Sequence, residues 1–197
     1  MICINSTPKQ KFKNKDQNNK SIIIYYNNII MRQKELVLNI LRNLDFPKTQ
    51  RPNVLRTGQT GYTGFVLGRV TSWAGKGAKA GYRKVLSVKT TQPKYKQLYK
   101  EAKKLMKQKD IGFNFTSIQF NKNHRAAKHL DAKNTGVSYI IGLGDYTGGD
   151  LIIYDKDGKN PVYHNIRNRF YRFDGSKYPH ETAPFKGERY TLVFYST

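Results

Sequence analysis

Three residues far apart in the chain have the types that a divalent metal needs. His129 and Asp131 stand two positions apart, and His180 follows 49 residues after Asp131. Two imidazoles and one carboxylate on one face of a metal leave other positions open for reactants, an arrangement suited to non-haem ferrous iron. His129 and Asp131 can converge on one ion from a strand or its extended exit, because alternate side chains share a face. His180 must then be returned by the fold. It follows the run Arg169–Phe173 and opens a turn-rich stretch, Pro179–Gly187.

A His-x-Asp triplet by itself is more often a surface loop than a metal site. The residues downstream change that balance. Arg189 offers a planar guanidinium that matches a carboxylate, and Thr191, on the same face of the run Tyr190–Tyr195, adds a hydroxyl. An Arg followed two residues later by Thr suits a site that grips the far carboxylate of a dicarboxylic acid.

With these residues the sequence resembles the iron(II)- and 2-oxoglutarate-dependent dioxygenases, whose His-x-Asp, distal His and Arg-x-Ser/Thr correspond to His129, Asp131, His180, Arg189 and Thr191. The stretches FTSIQFNKN, KHLDAKNTGVSYIIGLGDYTGG and FDGSKYPHETAPFKGERYTLVFY look most like small oxygenases of viral, algal and fungal origin. Those in turn are distantly similar to the ten-eleven-translocation and base-J-binding branch, which oxidises methyl groups on DNA bases. The resemblance covers residues 56–197. It implies a mainly β fold with flanking helices around a double-stranded β-helix (jelly-roll) core. It also implies Fe(II), 2-oxoglutarate and O2 as cofactors, with ascorbate in support, and oxidation of an unactivated C–H bond coupled to succinate formation. Related enzymes use polar residues on the strand before the metal loop to hold the co-substrate, which points to Gln119 and Asn121, and Tyr139 could act likewise.

Two further histidines compete for attention. His124 precedes His129 by five residues without an acid two places on, and reads as a loop residue or near-substrate contact. His164 sits in a strand pattern beside Tyr163 without a downstream Arg; neither has the pattern of a ligand, which leaves a supporting role. The stretch Asp155–Asn160 mimics the start of a calcium loop but lacks the closing acid, so it is expected to be a hairpin turn. The glycine-rich loop Ala74–Gly81 does not have P-loop spacing and reads as a flexible basic loop.

The elements that must position these residues follow from periodicity. Short strands are expected at Phe115–Asn121, Val137–Leu143, Leu151–Tyr154, Val162–Ile166, Arg169–Phe173 and Tyr190–Tyr195, with turns at Gly144–Asp150 and Asp155–Asn160. Upstream, Tyr62–Trp73 reads as one or two strands and Val85–Val88 as a short one. Arg32–Leu44 suits an amphipathic helix ended by Phe46-Pro47, and Pro93 opens a clearer one that runs to Gln108. Its apolar side carries Tyr95, Leu98, Ala102 and Leu105, and its other side Lys100, Lys103, Lys104 and Lys107. Residues 1–30 are rich in Lys and Asn and read as a disordered basic extension with a short element at Ile22–Ile30, residues 31–110 as a buttress, and residues 111–197 as the catalytic core.

At 197 residues the chain is long enough for one substantial core. Cys3 is its single cysteine, which rules out an intramolecular disulfide and suits a reducing compartment, the cytoplasm or nucleus of a host. The start lacks a signal-peptide pattern, and the most apolar stretch, Ser21–Met31, is too short to span a bilayer. The net charge of +23 is uneven: residues 1–110 hold 24 Lys and Arg against 5 acids, and residues 111–197 hold 12 against 8. Such a field attracts nucleic acid phosphates, although AT-rich coding would also enrich Lys, Asn and Ile.

Two substrate classes therefore stand side by side: a nucleic acid base oxidised at a methyl or N-alkyl group, and a protein prolyl, lysyl or asparaginyl side chain. The first expects binding to fall when Lys100, Lys103, Lys104 and Lys107 are changed to Glu. A non-catalytic basic binding module is the third reading, disfavoured by the intact ligand set.

Overall fold

Strict alternation along two neighbouring strands decides the architecture. In Ser117–Lys122 (β4) and Tyr190–Tyr195 (β12), Ile118, Phe120, Leu192 and Phe194 point to one face, while Gln119, Asn121, Thr191 and Val193 point to the other. A strand places successive side chains on opposite faces, so the apolar face must be covered and the polar face can line a cavity.

The computed structural model describes residues 8–74 and 81–197. Most of the expected basic loop and Cys3 lie outside the described residues. The first element, α1, spans Pro8–Arg42, so the helix reaches back through much of the stretch read as disordered. Proline is tolerated at a helix start, and no glycine or further proline interrupts the sequence before Arg42. Lys48–Thr49 (β1) and a 3-10 turn at Pro52–Val54 lead to the long strand β2, Tyr62–Ala74, which pairs with Gly81–Leu86 (β3). This strand lies earlier than the expected Val85–Val88, because Val88 already opens the short helix α2, Val88–Thr91. Pro93 then starts α3, Pro93–Lys109.

The remaining strands are Ser138–Leu143 (β5), Tyr146–Gly148 (β6), Leu151–Ile153 (β7), Val162–His164 (β8), Tyr171–Phe173 (β9), His180–Thr182 (β10) and Phe185–Gly187 (β11). Seven strands form the major sheet in the order β1-β2-β4-β12-β5-β9, with β3 added beside β2. The minor layer comprises a three-stranded sheet, β10-β7-β8, and the pair β11-β6. All these pairings are antiparallel, and the fold is the double-stranded β-helix that the sequence implied, mainly β with flanking helices. Asp155–Asn160 is a hairpin turn between β7 and β8, closed by the Asp155 carboxylate accepting from the Lys159 N–H at 2.6 Å and from Asn160 at 2.7 Å.

Two helices cover the outer face of the major sheet. Val37 and Leu41 from α1, and Leu98, Ala102, Leu105 and Met106 from α3, are fully buried against Phe65, Ile118, Phe120, Leu192 and Phe194. Gln33 joins the helices through the buried polar contact it makes with Glu101, donating to its carboxylate at 2.9 Å and its carbonyl at 3.0 Å. A smaller apolar cluster of Ile140, Leu151, Ile166 and Phe173 holds the inner face of the major sheet against the minor layer. No described helix is long and apolar enough to cross a membrane.

This packing makes a direct prediction. Leu105→Ala removes a fully buried side chain between α3 and the sheet, and is expected to cost about 2–5 kcal/mol of stability in urea unfolding.

Candidate metal centre

A pair of reciprocal backbone hydrogen bonds brings the two distant histidines together. The N–H of His129 donates to the carbonyl of His180 at 3.0 Å, and the N–H of His180 donates back at 3.0 Å, an isolated antiparallel bridge. Asp131, two residues on, is tied to the loop before β10 by its N–H to the Gly175 carbonyl at 2.8 Å. One ligand atom from each of His129, Asp131 and His180 then lies within 4.8 Å of the others. Arg56 fastens the same segments from outside, pairing with Glu181 at 2.6 Å and reaching the carbonyls of Ala126 and Thr182.

The imidazoles are oriented for a cation. Nδ1 of His129 faces the Ala127 carbonyl at 2.7 Å, and Nδ1 of His180 faces the Tyr178 carbonyl at 3.1 Å. A carbonyl can only accept, so each Nδ1 carries the proton and each Nε2 keeps its lone pair. Those Nε2 atoms lie 3.7 and 3.6 Å from the two Asp131 oxygens. Burial, followed by the neighbouring His180, pushes His129 down to about 4, so this ring is neutral at physiological pH and ready to ligate. For Asp131, burial alone would raise the carboxyl, but the neighbouring His180 and the charge of Arg51 outweigh it and hold the group well below the usual carboxylate range.

The cluster lines a cavity of about 400 Å³ between the two layers. Arg189 lines the same cavity and is 2% exposed. Its guanidinium donates to two neutral carbonyls, Gly149 at 2.9 Å and His124 at 3.4 Å, with the rings of Tyr146 and Phe185 beside it. Nε has no partner, and no carboxylate forms an ion pair with Arg189 among the described residues. A buried cation without a counter-charge is costly unless an anion meets it. The donor set and a buried guanidinium with a free Nε and no ion-paired carboxylate among the described residues therefore fit a divalent metal and an acid in one cavity.

Gln119, Asn121 and Thr191 lie on the cavity wall as one line of hydrogen bonds. Gln119 donates to the Asn121 side-chain oxygen at 3.0 Å, and Asn121 donates to the Thr191 hydroxyl at 2.9 Å. With its oxygen already accepting, Thr191 has its own proton to donate onward.

No family model matches this sequence, and no curated protein matches it. Solved structures do match in shape. One is an oxidoreductase of the 2OG-Fe(II) oxygenase family from Burkholderia pseudomallei, with TM-score 0.52, 18% identity, and coverage of 80% of this chain and 77% of that one. Another is a prolyl hydroxylase from Trichoplax adhaerens in complex with a hypoxia-inducible-factor peptide, with TM-score 0.50, 14% identity, and coverage of 97% and 94%.

The chain has the fold of the 2OG-Fe(II) oxygenases.

Within that oxygenase fold, Tyr139 departs from expectation. It sits on β5 one position from Ile140, and the alternation sends Ile140 into the cavity and Tyr139 into the helix-covered core. Its hydroxyl donates to Asp110 at 3.0 Å, so it is a core residue and does not face the cavity. Two cavity residues escaped the sequence reading. Arg51 makes an ion pair with Asp131 at 2.5 Å and comes from an irregular segment with no motif. Tyr62, at the start of β2, stacks on His124 with ring centroids 4.4 Å apart. His124, read from the sequence as a loop residue or near-substrate contact, lines the cavity.

Two glycines lie where a side chain would press on this apparatus. A Cβ on Gly175 would sit 2.9 Å from His180 Cε1 and 3.3 Å from Asp131 Oδ2. Gly175→Ala is expected to weaken Mn(II) binding by about 10–100-fold in calorimetric titration while leaving a cooperative unfolding transition. At Gly149 the backbone has φ +74° and a Cβ would lie 2.7 Å from Arg189 Nε, so Gly149→Ala should leave Mn(II) affinity near wild type.

Proposed function

We propose that the protein is an Fe(II)- and 2-oxoglutarate-dependent oxygenase that oxidises a methyl or N-alkyl group on a nucleic acid base. The observation that carries the cofactor reading is the buried guanidinium of Arg189, ion-paired with no carboxylate among the described residues, in the same cavity as the His129–Asp131–His180 cluster. His129, Asp131 and His180 would hold the iron, and Arg189 with Thr191 would hold the far carboxylate of 2-oxoglutarate. When bound, iron supplies oxygen activation; overall, one C–H becomes C–OH while 2-oxoglutarate and O2 become succinate and CO2. The chain itself orients and excludes. The Ala127 and Tyr178 carbonyls fix both imidazoles, the Gln119–Asn121–Thr191 line aims a hydroxyl, and Ile140, Leu151, Phe173 and Val193 keep that part of the cavity apolar.

Anaerobic titration with Fe(II) and 2-oxoglutarate tests this part before any substrate is known. The wild type should develop the weak visible charge-transfer band. Asp131→Ala should abolish it, and Arg189→Ala should raise the 2-oxoglutarate concentration needed by at least about 30-fold. No band in the wild type would refute the assignment.

Charge supports the nucleic acid reading. No acid occurs between Asp45 and Glu101, a stretch that holds 12 Lys and Arg. Two exposed cations line the cavity where it meets solvent, Arg69 of β2 and Lys133 after the metal loop, and neither has an acid partner among the described residues. The lysines of α3 occupy a different place: that helix packs its apolar side on the outer face of the sheet, so Lys100, Lys103, Lys104 and Lys107 face away from the cavity. A base entering the cavity must leave its stack, with its phosphates remaining at the mouth. Arg69→Glu with Lys133→Glu is expected to weaken single-stranded DNA or RNA binding about tenfold or more at low salt, against a small effect of reversing the α3 lysines. Unchanged binding in the mouth variant, together with a hydroxylation mass shift on a peptide library, would move the substrate to the protein side-chain class. That second reading draws on the peptide bound to the Trichoplax prolyl hydroxylase.

A further inference from the structure

His124 lines the cavity yet takes no part in the ligand cluster. It is 7% exposed, and its Nε2 has no hydrogen-bond partner. One contact holds the ring, and others tie the backbone that carries it to Arg189. Tyr62 stacks against it at 4.4 Å with the planes 26° apart. The preceding residue, Asn123, adopts the left-handed backbone at φ 49°, where Asn is tolerated better than most residues. Asn123 is bonded twice to Arg189: its N–H donates to the Arg189 carbonyl at 2.7 Å, and its side-chain oxygen accepts from the Arg189 N–H at 2.8 Å. His124 then turns its own carbonyl to Arg189 Nη1 at 3.4 Å. The His124 backbone is thereby tied to Arg189, and its ring lines the same cavity as Arg189, Asn121 and His129.

A buried ring nitrogen without a partner costs free energy unless a ligand meets it. Protonation does not resolve that cost here, because burial, reinforced by the positive charges of Arg189, Arg51 and Arg56, pushes His124 down to about 4. A neutral imidazole has one N–H to give and no charge to repel Arg189.

We propose that His124 is a positioning residue for the co-substrate: its Nε2–H donates to the same far carboxylate that Arg189 pairs with, so that Arg189, Thr191 and His124 together recognise a dicarboxylate. This rests on the reading of the cavity as a 2-oxoglutarate site. Arg189 supplies the charge, and His124 supplies a directional donor whose orientation the Tyr62 stack sets before the acid arrives.

The test is anaerobic charge-transfer titration of the full chain with Fe(II) and either 2-oxoglutarate or 2-oxopentanoate, which keeps the keto acid end and lacks the far carboxylate. His124→Phe preserves the stack on Tyr62 and removes the donor; His124→Gln restores an N–H. The expected result is a loss of 2-oxoglutarate affinity of about 10-fold or more in His124→Phe, partial recovery in His124→Gln, and no change for 2-oxopentanoate or for Fe(II) in either variant. Undiminished 2-oxoglutarate affinity in His124→Phe, or an equal loss for both acids, overturns the role of His124 alone. Absence of the band in the wild type overturns this proposal together with the 2-oxoglutarate reading beneath it.

Discussion

The site depends on one local constraint, the backbone bridge between His129 and His180. Antiparallel partners directly opposite each other project their side chains on the same face, and here those side chains are the two imidazoles, with ring centroids 4.3 Å apart. Several contacts around the cluster keep that bridge and its neighbours in place. Pairing of β10 with β7 sets the height of His180, the Gly175 carbonyl fixes Asp131, and the Arg56–Glu181 pair closes the outside. A slip of one residue in β10 would point Glu181 inward and His180 out, because side chains alternate along a strand.

The major sheet carries the second requirement, a wall with opposite chemistry on its two faces. Along β12, Tyr190, Leu192 and Phe194 are buried under the helices, while Thr191 and Val193 line the cavity. The same division runs through β4, so the helices stabilise the sheet without entering the cavity. This separation explains why the chain can carry a lysine-rich helix and an unpaired buried Arg without mutual repulsion dominating: they sit on opposite sides of a hydrogen-bonded sheet.

Much of this was legible in the sequence wherever a pattern repeats at short range. The run Tyr190–Tyr195 has the bounds expected for it, and α3 begins at the expected Pro93. His129, Asp131 and His180 stand together in space as their types required, and Gln119, Asn121 and Thr191 are linked by hydrogen bonds. The misses have physical causes. Tyr139, expected by resemblance to help hold the co-substrate, lies in a strand buried on both faces, where no alternation of polar and apolar residues tells in from out. The strands β6, β10 and β11 have three residues each, too few to show a period, and they are set by pairing with distant partners. Arg51 reaches Asp131 across 80 residues from an irregular segment, a contact that no local pattern encodes.

The position of β12 has a temporal consequence. It lies between β4 and β5 and hydrogen-bonds to both along nearly its whole length, so the middle of the major sheet is filled by residues 190–195. Strands separated by some seventy residues, such as β4 and β12, must wait for each other, and pairing of this kind is slow to form. During synthesis the helices and the early strands would emerge with an open seam, and the sheet could close only when that last strand left the ribosome. Arg189 directly precedes β12, so the buried guanidinium and the strand that closes the sheet arrive together.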